Sequence, residues 1–287
     1  MKKQEYIDIG LSAGLSPSQI EAVLCGVMNI SKEEFFKLSE ISSKFIYEVQ
    51  QVFFKLQSGA SEEYTLEKAN FYGRDFFVDE RVLIPRNDTE ILVKVTLDKL
   101  HREINIKNMW YLDVGTGSAC IPVSIVEEMH PLKFNKAIAL ELSSEAIDVA
   151  AENIEKLAPG KIELRESNLL SAVFHDEELA GKDLCITANL PYIKDGDYVN
   201  MDSKVVRNEP NRALYGGAKT GFELYEELIK QCFQMKQVHK LGEMHLFIEI
   251  GFDQKKHSKK YLEELGLSFV YFMDSAKIER VIYIKDF

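Results

Sequence analysis

The sequence predicts an α/β protein in which a mostly parallel, seven-stranded open sheet follows a small helical bundle. From residue 109 onward, short apolar runs alternate with amphipathic helical patterns, which is typical of parallel strands joined by helices. A glycine-rich turn at 115–119 links the first of these runs to a helix. The residues before about 70, by contrast, carry apolar side chains at helical spacing throughout.

Composition limits the class of protein. At 287 residues, the chain suits one large domain with a smaller one. Its 35 Lys and Arg against 46 Asp and Glu give a net charge of −11, which argues against holding a long nucleic acid through its phosphates. The cysteines and histidines lack metal-ligand spacing, and no apolar run has the length of a membrane span. We therefore expect a reduced, cytoplasmic protein with no metal site and no membrane partner.

The helical pattern of residues 1–70 restarts at Ser16-Pro17, where a serine can cap the next helix. A bundle of this kind carries no catalytic chemistry of its own. It suits either a structural cap or a module that docks a substrate, and the sequence favours neither.

The pattern of apolar and polar residues changes at residues 71–87. Alternating apolar and polar residues in 71–78 and 81–84 predict a β-hairpin that joins the bundle to the larger domain. After this hairpin, Asn87 or Asp88 is expected to cap a helix.

The remaining chain supplies the sheet and its helices. The predicted strands are 110–114, 137–140, 162–165, 184–188, 246–250, 269–272 and 281–284. The short link between the last two predicts an antiparallel pair. Between the fourth and fifth strands, residues 193–220 form a long polar loop that we interpret as an ordered flap over the substrate.

The ends of the first three strands predict a nucleoside site. The turn Gly115-Thr116-Gly117-Ser118-Ala119 lets a ligand approach the backbone, but Cys120 replaces the third glycine of the dinucleotide fingerprint. The turn therefore favours a nucleoside without a pyrophosphate. Glu141 ends the second strand at about the spacing of an acid that binds both ribose hydroxyls, although a solvent-facing glutamate is the plainer alternative. Adenine is expected near Asn168 and Leu169, after the third strand.

The fourth strand delivers Asn189-Leu190-Pro191-Tyr192 to the same edge of the sheet. Asn189 offers a donor and an acceptor there, and Pro191 fixes its own φ and restricts Leu190. Tyr192 adds a flat apolar face. This corner suits a planar group that carries an NH2, either a side-chain amide or a nucleobase amine. A strand followed by an ordinary turn explains the four residues equally well.

Together these motifs resemble the class I S-adenosylmethionine-dependent methyltransferases, and more narrowly the HemK-type glutamine methyltransferases of peptide chain release factors. The resemblance covers nearly the whole chain. Its most specific blocks are Pro85-Arg86-Asn87-Asp88-Thr89-Glu90 and residues 209–217, which begin Glu209-Pro210 and end Gly216-Gly217. The blocks Asp113-Val114-Gly115 and Glu249-Ile250-Gly251 also match in order.

The resemblance implies a Rossmann-like class I methyltransferase fold with its last strand antiparallel. It implies a helical substrate-docking domain at 1–70, a β-hairpin linker at 71–87 and a methyltransferase domain at 88–287. The implied cofactor is S-adenosylmethionine, with S-adenosylhomocysteine as product. The implied partner is a peptide chain release factor, with no stable nucleic-acid partner.

The resemblance also implies roles for single residues. The implied cofactor-binding residues are Asp113, Gly115, Thr116, Gly117, Ser118, Ala119, Glu141, Leu142, Asn168, Leu169 and Asn189. The implied catalytic residues are Asn189, Leu190, Pro191 and Tyr192. These four, with Arg86, Glu209 and Glu249, are also the implied substrate-binding residues. In such a site, Asn189 Oδ1 and the Leu190 carbonyl hold the substrate NH2 while Tyr192 packs on the amide plane.

Four positions depart from the family pattern. Leu190 stands at the first proline of Asn-Pro-Pro-Tyr, and Ala119 at a third glycine, while Glu141 and Asn168 each replace an aspartate. Leucine at position 190 is also seen in relatives that methylate adenine in ribosomal RNA. An adenine amino-group methyltransferase acting on RNA or DNA is therefore the first alternative. A non-catalytic S-adenosylmethionine-binding protein is the second.

Overall fold

The structure is a computed structural model, and it describes residues 1–194 and 209–287. Half of the predicted flap at 193–220, residues 195–208, therefore lies outside the described residues. Among the helices that are described, none combines the length and apolarity needed to cross a bilayer.

The first 65 residues fold into five helices around a hydrophobic cluster of their own. Ser16 and Ser31 each begin a helix with a capping box, which confirms the predicted restart at Ser16-Pro17. Tyr6 and Phe53 are among the buried members of the cluster. The helices are α1 Lys3–Ser12, α2 Pro17–Met28, α3 Lys32–Lys37, α4 Ile46–Gln57 and α5 Glu62–Thr65, with a 3-10 turn at Ser43–Phe45.

The predicted hairpin exists, but its predicted strands were wrong. β1 (Ala69–Phe71) pairs with β2 (Arg74–Phe76), and the chain reverses at Tyr72 and Gly73, where φ is 49° and 74°. Two consecutive positive φ values are those of a tight hairpin turn, and they fix the reversal earlier than expected. Residues 81–84 are not a strand. Their alternation has another cause, since Val82 and Ile84 bury themselves against a helix at residues 144–157.

The predicted helix cap at Asn87 or Asp88 was also wrong. A 3-10 turn, Asn87–Thr89, comes first, and α6 (Glu90–Arg102) follows without a side-chain cap. The backbone N–H of Thr89 instead donates to the Arg86 carbonyl. Glu90 accepts a hydrogen bond from the Tyr72 N–H at 2.8 Å, so it ties the hairpin to the helix.

As predicted, the rest of the structure is built around a seven-stranded sheet. Its strands are β3 Met109–Val114, β4 Lys136–Glu141, β5 Glu163–Glu166, β6 Asp183–Ala188, β9 Met244–Glu249, β10 Ser268–Met273 and β11 Glu279–Lys285. Their spatial order is β5-β4-β3-β6-β9-β11-β10. Within this sheet β11 runs antiparallel to both neighbours, and the other pairs are parallel, which confirms the prediction for the last strand.

Helices cover both faces of the sheet. Because successive strand residues point to opposite faces, Leu112 and Ile186 pack towards Leu228, whereas Tyr111 and Cys185 pack on the other side. The connecting helices are α7 Cys120–Glu128, α8 Ser144–Leu157, α9 Asn211–Leu214, α10 Glu223–His239 and α11 Lys255–Glu264. Two short strands, β7 Ile193–Lys194 and β8 Tyr215–Gly217, pair beside the carboxyl edge of the large sheet.

Candidate active site

The carboxyl ends of four neighbouring strands bring the predicted site residues to one edge of the sheet. β3 ends in the glycine turn, β4 in Glu141, β6 just before Asn189, and β9 in Glu249. Open α/β sheets bind ligands in the crevice at this edge. A cavity of about 430 Å³ lies there, and its walls include Gly115, Thr116, Gly117, Ser118, Glu141 and Asn189.

The glycine turn wraps closely around the end of β3. Gly115 and Gly117 have φ values of 71° and 54°, which glycine adopts without strain. Ala119 has φ 62° and immediately precedes α7. The position where the family places a third glycine therefore keeps a left-handed backbone in this chain, at a small steric cost. The turn keeps its form despite the alanine.

Glu141 is held at the cavity wall by three backbone groups. Its Oε2 accepts from the Gly117 N–H at 2.9 Å, and its Oε1 accepts from the Leu142 and Ser143 N–H groups at 2.8 and 2.9 Å. A carboxylate has about four acceptor positions, so one remains for a ligand hydroxyl even with these bonds made. The carboxylate therefore faces the cavity in a fixed position.

Five predicted cofactor residues do not line this cavity. Asp113 is buried beneath the turn, where it accepts from the Thr187 hydroxyl at 2.6 Å. Burial raises the pKa of Asp113 to about 6. The other four residues are Ala119, Leu142, Asn168 and Leu169. A direct contact between any of these five and a cofactor stays a prediction.

Asn189 lies where two cavities meet. It lines the large cavity and also a smaller one of about 200 Å³, which Leu190, Tyr192, Glu209 and Glu249 help to form. Its Nδ2 donates to the Thr89 hydroxyl at 3.2 Å. The three catalytic candidates Asn189, Leu190 and Tyr192 thus share one small cavity that adjoins the larger one, while Pro191 lines the larger.

All predicted substrate residues except Pro191 line the smaller cavity. Arg86 lines both cavities and forms an ion pair with the buried Glu209. Burial raises the pKa of Glu209, and Arg86 opposes this. Burial also raises the pKa of Tyr192 to about 12, so its phenol stays protonated at neutral pH. Glu249 and Tyr192 further line a neighbouring cavity of about 400 Å³.

Residues outside the predicted site contact the backbone of Pro191 and Tyr192. A Cβ at Gly216 would meet the Pro191 carbonyl and Tyr192 Cα, and one at Gly221 would meet the Tyr192 carbonyl. Gln254 donates to the Tyr192 carbonyl at 3.5 Å and accepts from the Gly251 N–H at 2.9 Å. The Gly-Gly pair at 216–217 could have indicated the close approach, but nothing in the sequence singles out Gln254.

Tyr225 compensates for the leucine at position 190. The Leu190 N–H donates to the Tyr225 hydroxyl at 2.9 Å, and this hydroxyl donates in turn to the Glu249 carbonyl. A proline at position 190 has no N–H to donate. The departure from Asn-Pro-Pro-Tyr therefore adds a buried hydrogen bond that ties the ends of β6 and β9 together.

We expect Tyr225→Phe to lower the free energy of unfolding by about 1–3 kcal/mol, because the Leu190 N–H would be buried without an acceptor. The same substitution should cost less in a Leu190→Pro background, where that N–H is absent. Urea unfolding of the four proteins measures both effects. Equal costs in the two backgrounds would show that the Tyr225 hydroxyl does not serve Leu190.

Glu249 is the most deeply buried acid of the corner. Burial raises its pKa to about 7, and hydrogen bonding from Thr89, the Arg280 charge and hydrogen bonding from Asn189 oppose that rise. Its Oε2 has no hydrogen-bond partner among the described residues. Glu249 therefore changes charge near neutral pH.

This buried acid predicts a pH dependence of stability. The folded protein binds the Glu249 proton more tightly than the unfolded chain does, so the contribution is fully present below about pH 4.5 and is lost as the pH rises through about 7. Relative to Glu249→Gln, the wild type should therefore become progressively less stable from pH 4.5 to 7. Denaturant unfolding at several pH values measures this difference. A constant difference would contradict the assignment, and the exposed Glu264→Gln serves as control.

The chain is similar to curated proteins along most of its length. The chain is 29% identical over 247 residues to a release factor glutamine methyltransferase of Bacillus cereus, covering 85% of this chain and 83% of that protein. It is 35% identical over 218 residues to the release factor glutamine methyltransferase of Enterococcus faecalis, covering 76% of this chain and 70% of that protein. No protein-family model matches the chain.

A solved structure agrees with the fold. The N-terminal domain of human METTL16 in complex with SAH aligns with a TM-score of 0.53 and 16% identity, over 82% of this chain and 84% of that one. This likeness confirms the Rossmann-like methyltransferase fold alone. The two bacterial relatives are evidence for the family as well as for the fold, because they align with this chain along most of both sequences. The chain belongs to the release factor glutamine methyltransferase family.

Proposed function

We propose that the chain transfers a methyl group from S-adenosylmethionine to the side-chain amide nitrogen of a glutamine in a peptide chain release factor. The observation that carries the proposal is the position of Asn189 at the junction of the two cavities. One cavity has the size of a nucleoside site and the other has the size of a side chain. The family of the chain supplies the reaction type.

The larger cavity fits the cofactor. Its volume of about 430 Å³ lies within the usual range for small-molecule sites. The positive φ of the glycine turn leaves its backbone open to close approach, and Glu141 keeps one acceptor position for a ribose hydroxyl. When bound, the cofactor supplies a methyl group on a positively charged sulfur. Glu141 and Glu145 on the cavity wall favour that positive charge.

The smaller cavity fits a glutamine side chain. An amide nitrogen is a poor nucleophile, because its lone pair is delocalised into the carbonyl. Asn189 Oδ1 and the Leu190 carbonyl are the acceptors for its two N–H groups, and Tyr192 packs against the amide plane. Bound S-adenosylmethionine would supply the methyl group, and the substrate nitrogen would give up one proton to solvent in exchange for it. Placement of this kind contributes roughly 7–11 kcal/mol in well-oriented reactions.

The helices of residues 1–65 are the proposed docking surface for the release factor. They have their own hydrophobic cluster, and Tyr64 donates to the Val82 carbonyl at 2.6 Å, beside the residues that lead into the site. The proposal also implies a cytoplasmic protein, since its substrate acts in translation. The domain division at 70 and 87 remains part of this proposal.

Incubation with labelled S-adenosylmethionine tests the proposal against its alternatives. Label should enter a purified release factor and not RNA or DNA. Label in RNA or DNA alone would support the adenine methyltransferase, which would act on a flipped base. Cofactor binding without label in either substrate would support the non-catalytic alternative.

A further inference from the structure

Three side chains from separate elements meet behind the corner. Thr89 comes from the turn before α6, Asn189 follows β6, and Glu249 ends β9. Thr89 and Glu249 are each 3% exposed. The Thr89 hydroxyl makes no hydrogen bond to a backbone N–H at the start of α6, so it does not serve as a helix cap. Thr89 lines the larger cavity, and its hydroxyl is free to interact with the side chains around it.

The hydrogen bonds among the three residues have a direction. Asn189 Nδ2 donates to Thr89 Oγ1 at 3.2 Å. A hydroxyl has a single proton, and because Thr89 accepts from the amide, that proton is free to point at another acceptor. Hydrogen bonding from Thr89 and from Asn189 lowers the pKa of Glu249 against the effect of burial, as donors to the carboxylate do. The hydrogen bonds therefore run from the amide NH2 to the hydroxyl and to the carboxylate, and from the hydroxyl to the carboxylate.

This direction determines which end of the Asn189 amide faces the cavities. The two ends of a carboxamide have nearly the same shape, and only their partners distinguish them. An NH2 held by Thr89 leaves Oδ1 turned the other way. We propose that Thr89 and Glu249 are positioning residues, which orient Asn189 so that its oxygen accepts the N–H of the substrate amide. The inference rests on the proposed function.

The orientation should respond to the charge of Glu249. An ionised carboxylate accepts from Thr89 and stabilises the productive amide. A protonated carboxyl can instead donate to Thr89, whose own proton would then seek the oxygen of Asn189 and turn the amide over. Since the pKa of Glu249 is about 7, turnover should fall as the pH drops through neutrality.

The surroundings of Glu249 contain two oppositely charged neighbours. Arg280 on β11 lowers its pKa, and Asp88 in the turn before α6 raises it. Arg86 lines the same cavities. The remaining titratable neighbours are the Tyr192 and Tyr225 phenols and the Cys120 thiol, whose pKa values burial raises. Glu209 lines the smaller cavity with Glu249, and burial raises its pKa while its ion pair with Arg86 opposes the rise.

The first test is kinetic and uses Thr89→Val, Thr89→Ser and Thr96→Val. Thr89→Val removes the hydroxyl and should lower kcat about tenfold, with unchanged affinity for S-adenosylhomocysteine. It should also weaken the fall in kcat below pH 7, because Asn189 remains as a donor to Glu249 and Thr89 does not. Thr89→Ser keeps a hydroxyl and should retain most of the turnover and the pH profile. Thr96 is equally buried in α6, donates to the Leu92 carbonyl at 2.8 Å and should tolerate valine without loss.

The second test follows the side-chain amide signals of Asn189 by nuclear magnetic resonance, with S-adenosylhomocysteine bound. The signals should shift with pH in the wild type, with a midpoint near 7, and the shift should be smaller in Thr89→Val. Unaltered signals and kcat in Thr89→Val, or equal losses in Thr89→Val and Thr89→Ser, would overturn the inference. If the wild type methylates no release factor, the proposed function fails, while the signals still decide whether Thr89 and Glu249 orient Asn189.

Discussion

Replacement of Asn189 by alanine is expected to lower turnover by about 100-fold or more while cofactor affinity stays nearly unchanged. The side chain lies at the junction of the two cavities, where it can hold the substrate nitrogen in line with the cofactor methyl. The large cavity keeps its glycine turn and Glu141 in the variant. Turnover should therefore fall because the substrate nitrogen is no longer held in line with the cofactor methyl, and not because the cofactor binds less tightly.

Titration with S-adenosylhomocysteine and single-turnover methylation separate the two effects. Asn189→Asp provides a matched variant, because it keeps the size of the side chain and removes the NH2 that donates to Thr89. It should also be slow, since it places a second acid beside Glu249. Equal losses of affinity and turnover in Asn189→Ala would show that the residue only supports the structure.

Glu141→Ala is expected to weaken cofactor binding by about 1.5–3 kcal/mol, or about 10- to 150-fold. A charged acceptor for the ribose hydroxyls would be lost, and the N–H groups of Gly117, Leu142 and Ser143 would lose their shared partner. Turnover at saturating cofactor should change much less.

Isothermal titration with S-adenosylhomocysteine measures this effect. Glu166→Ala is the control, because Glu166 ends the neighbouring strand in register with Glu141 but is exposed and outside the cavity. It should bind like the wild type. Unchanged affinity in Glu141→Ala would rule out the ribose role.

The sheet could be predicted from sequence because its strands carry strong local signals. All seven predicted strands exist, and their ends lie within two residues of the predicted ones. The segment 193–220, predicted as a loop, contains β7, α9 and β8 in its described parts. The other failures lie between residues 71 and 90. There, Val82 and Ile84 alternate because they pack against α8, and Thr89 and Arg86 satisfy the turn through the backbone. Packing against a distant helix and the backbone hydrogen bond of the turn determine the structure of this segment. The local sequence pattern shows neither.

The candidate site could be predicted only where strand ends carry distinctive residues. The glycine turn, Glu141 and Asn189 meet at one edge, as expected from a parallel sheet. Tyr225 and Gln254 were missed, because in sequence one is an ordinary core aromatic and the other a helix-flanking amide. Their roles appear only when α10 and the residues after β9 are folded against the corner.

Mass spectrometry of a release factor, co-expressed either with the wild-type chain or with Asn189→Ala, tests the central claim most directly. With the wild type, a single glutamine side chain should carry one added methyl group, and with the variant the same peptide should stay unmodified. An unmodified release factor with the wild type, or equal methylation by both proteins, would contradict the assignment of the corner as the site of methyl transfer.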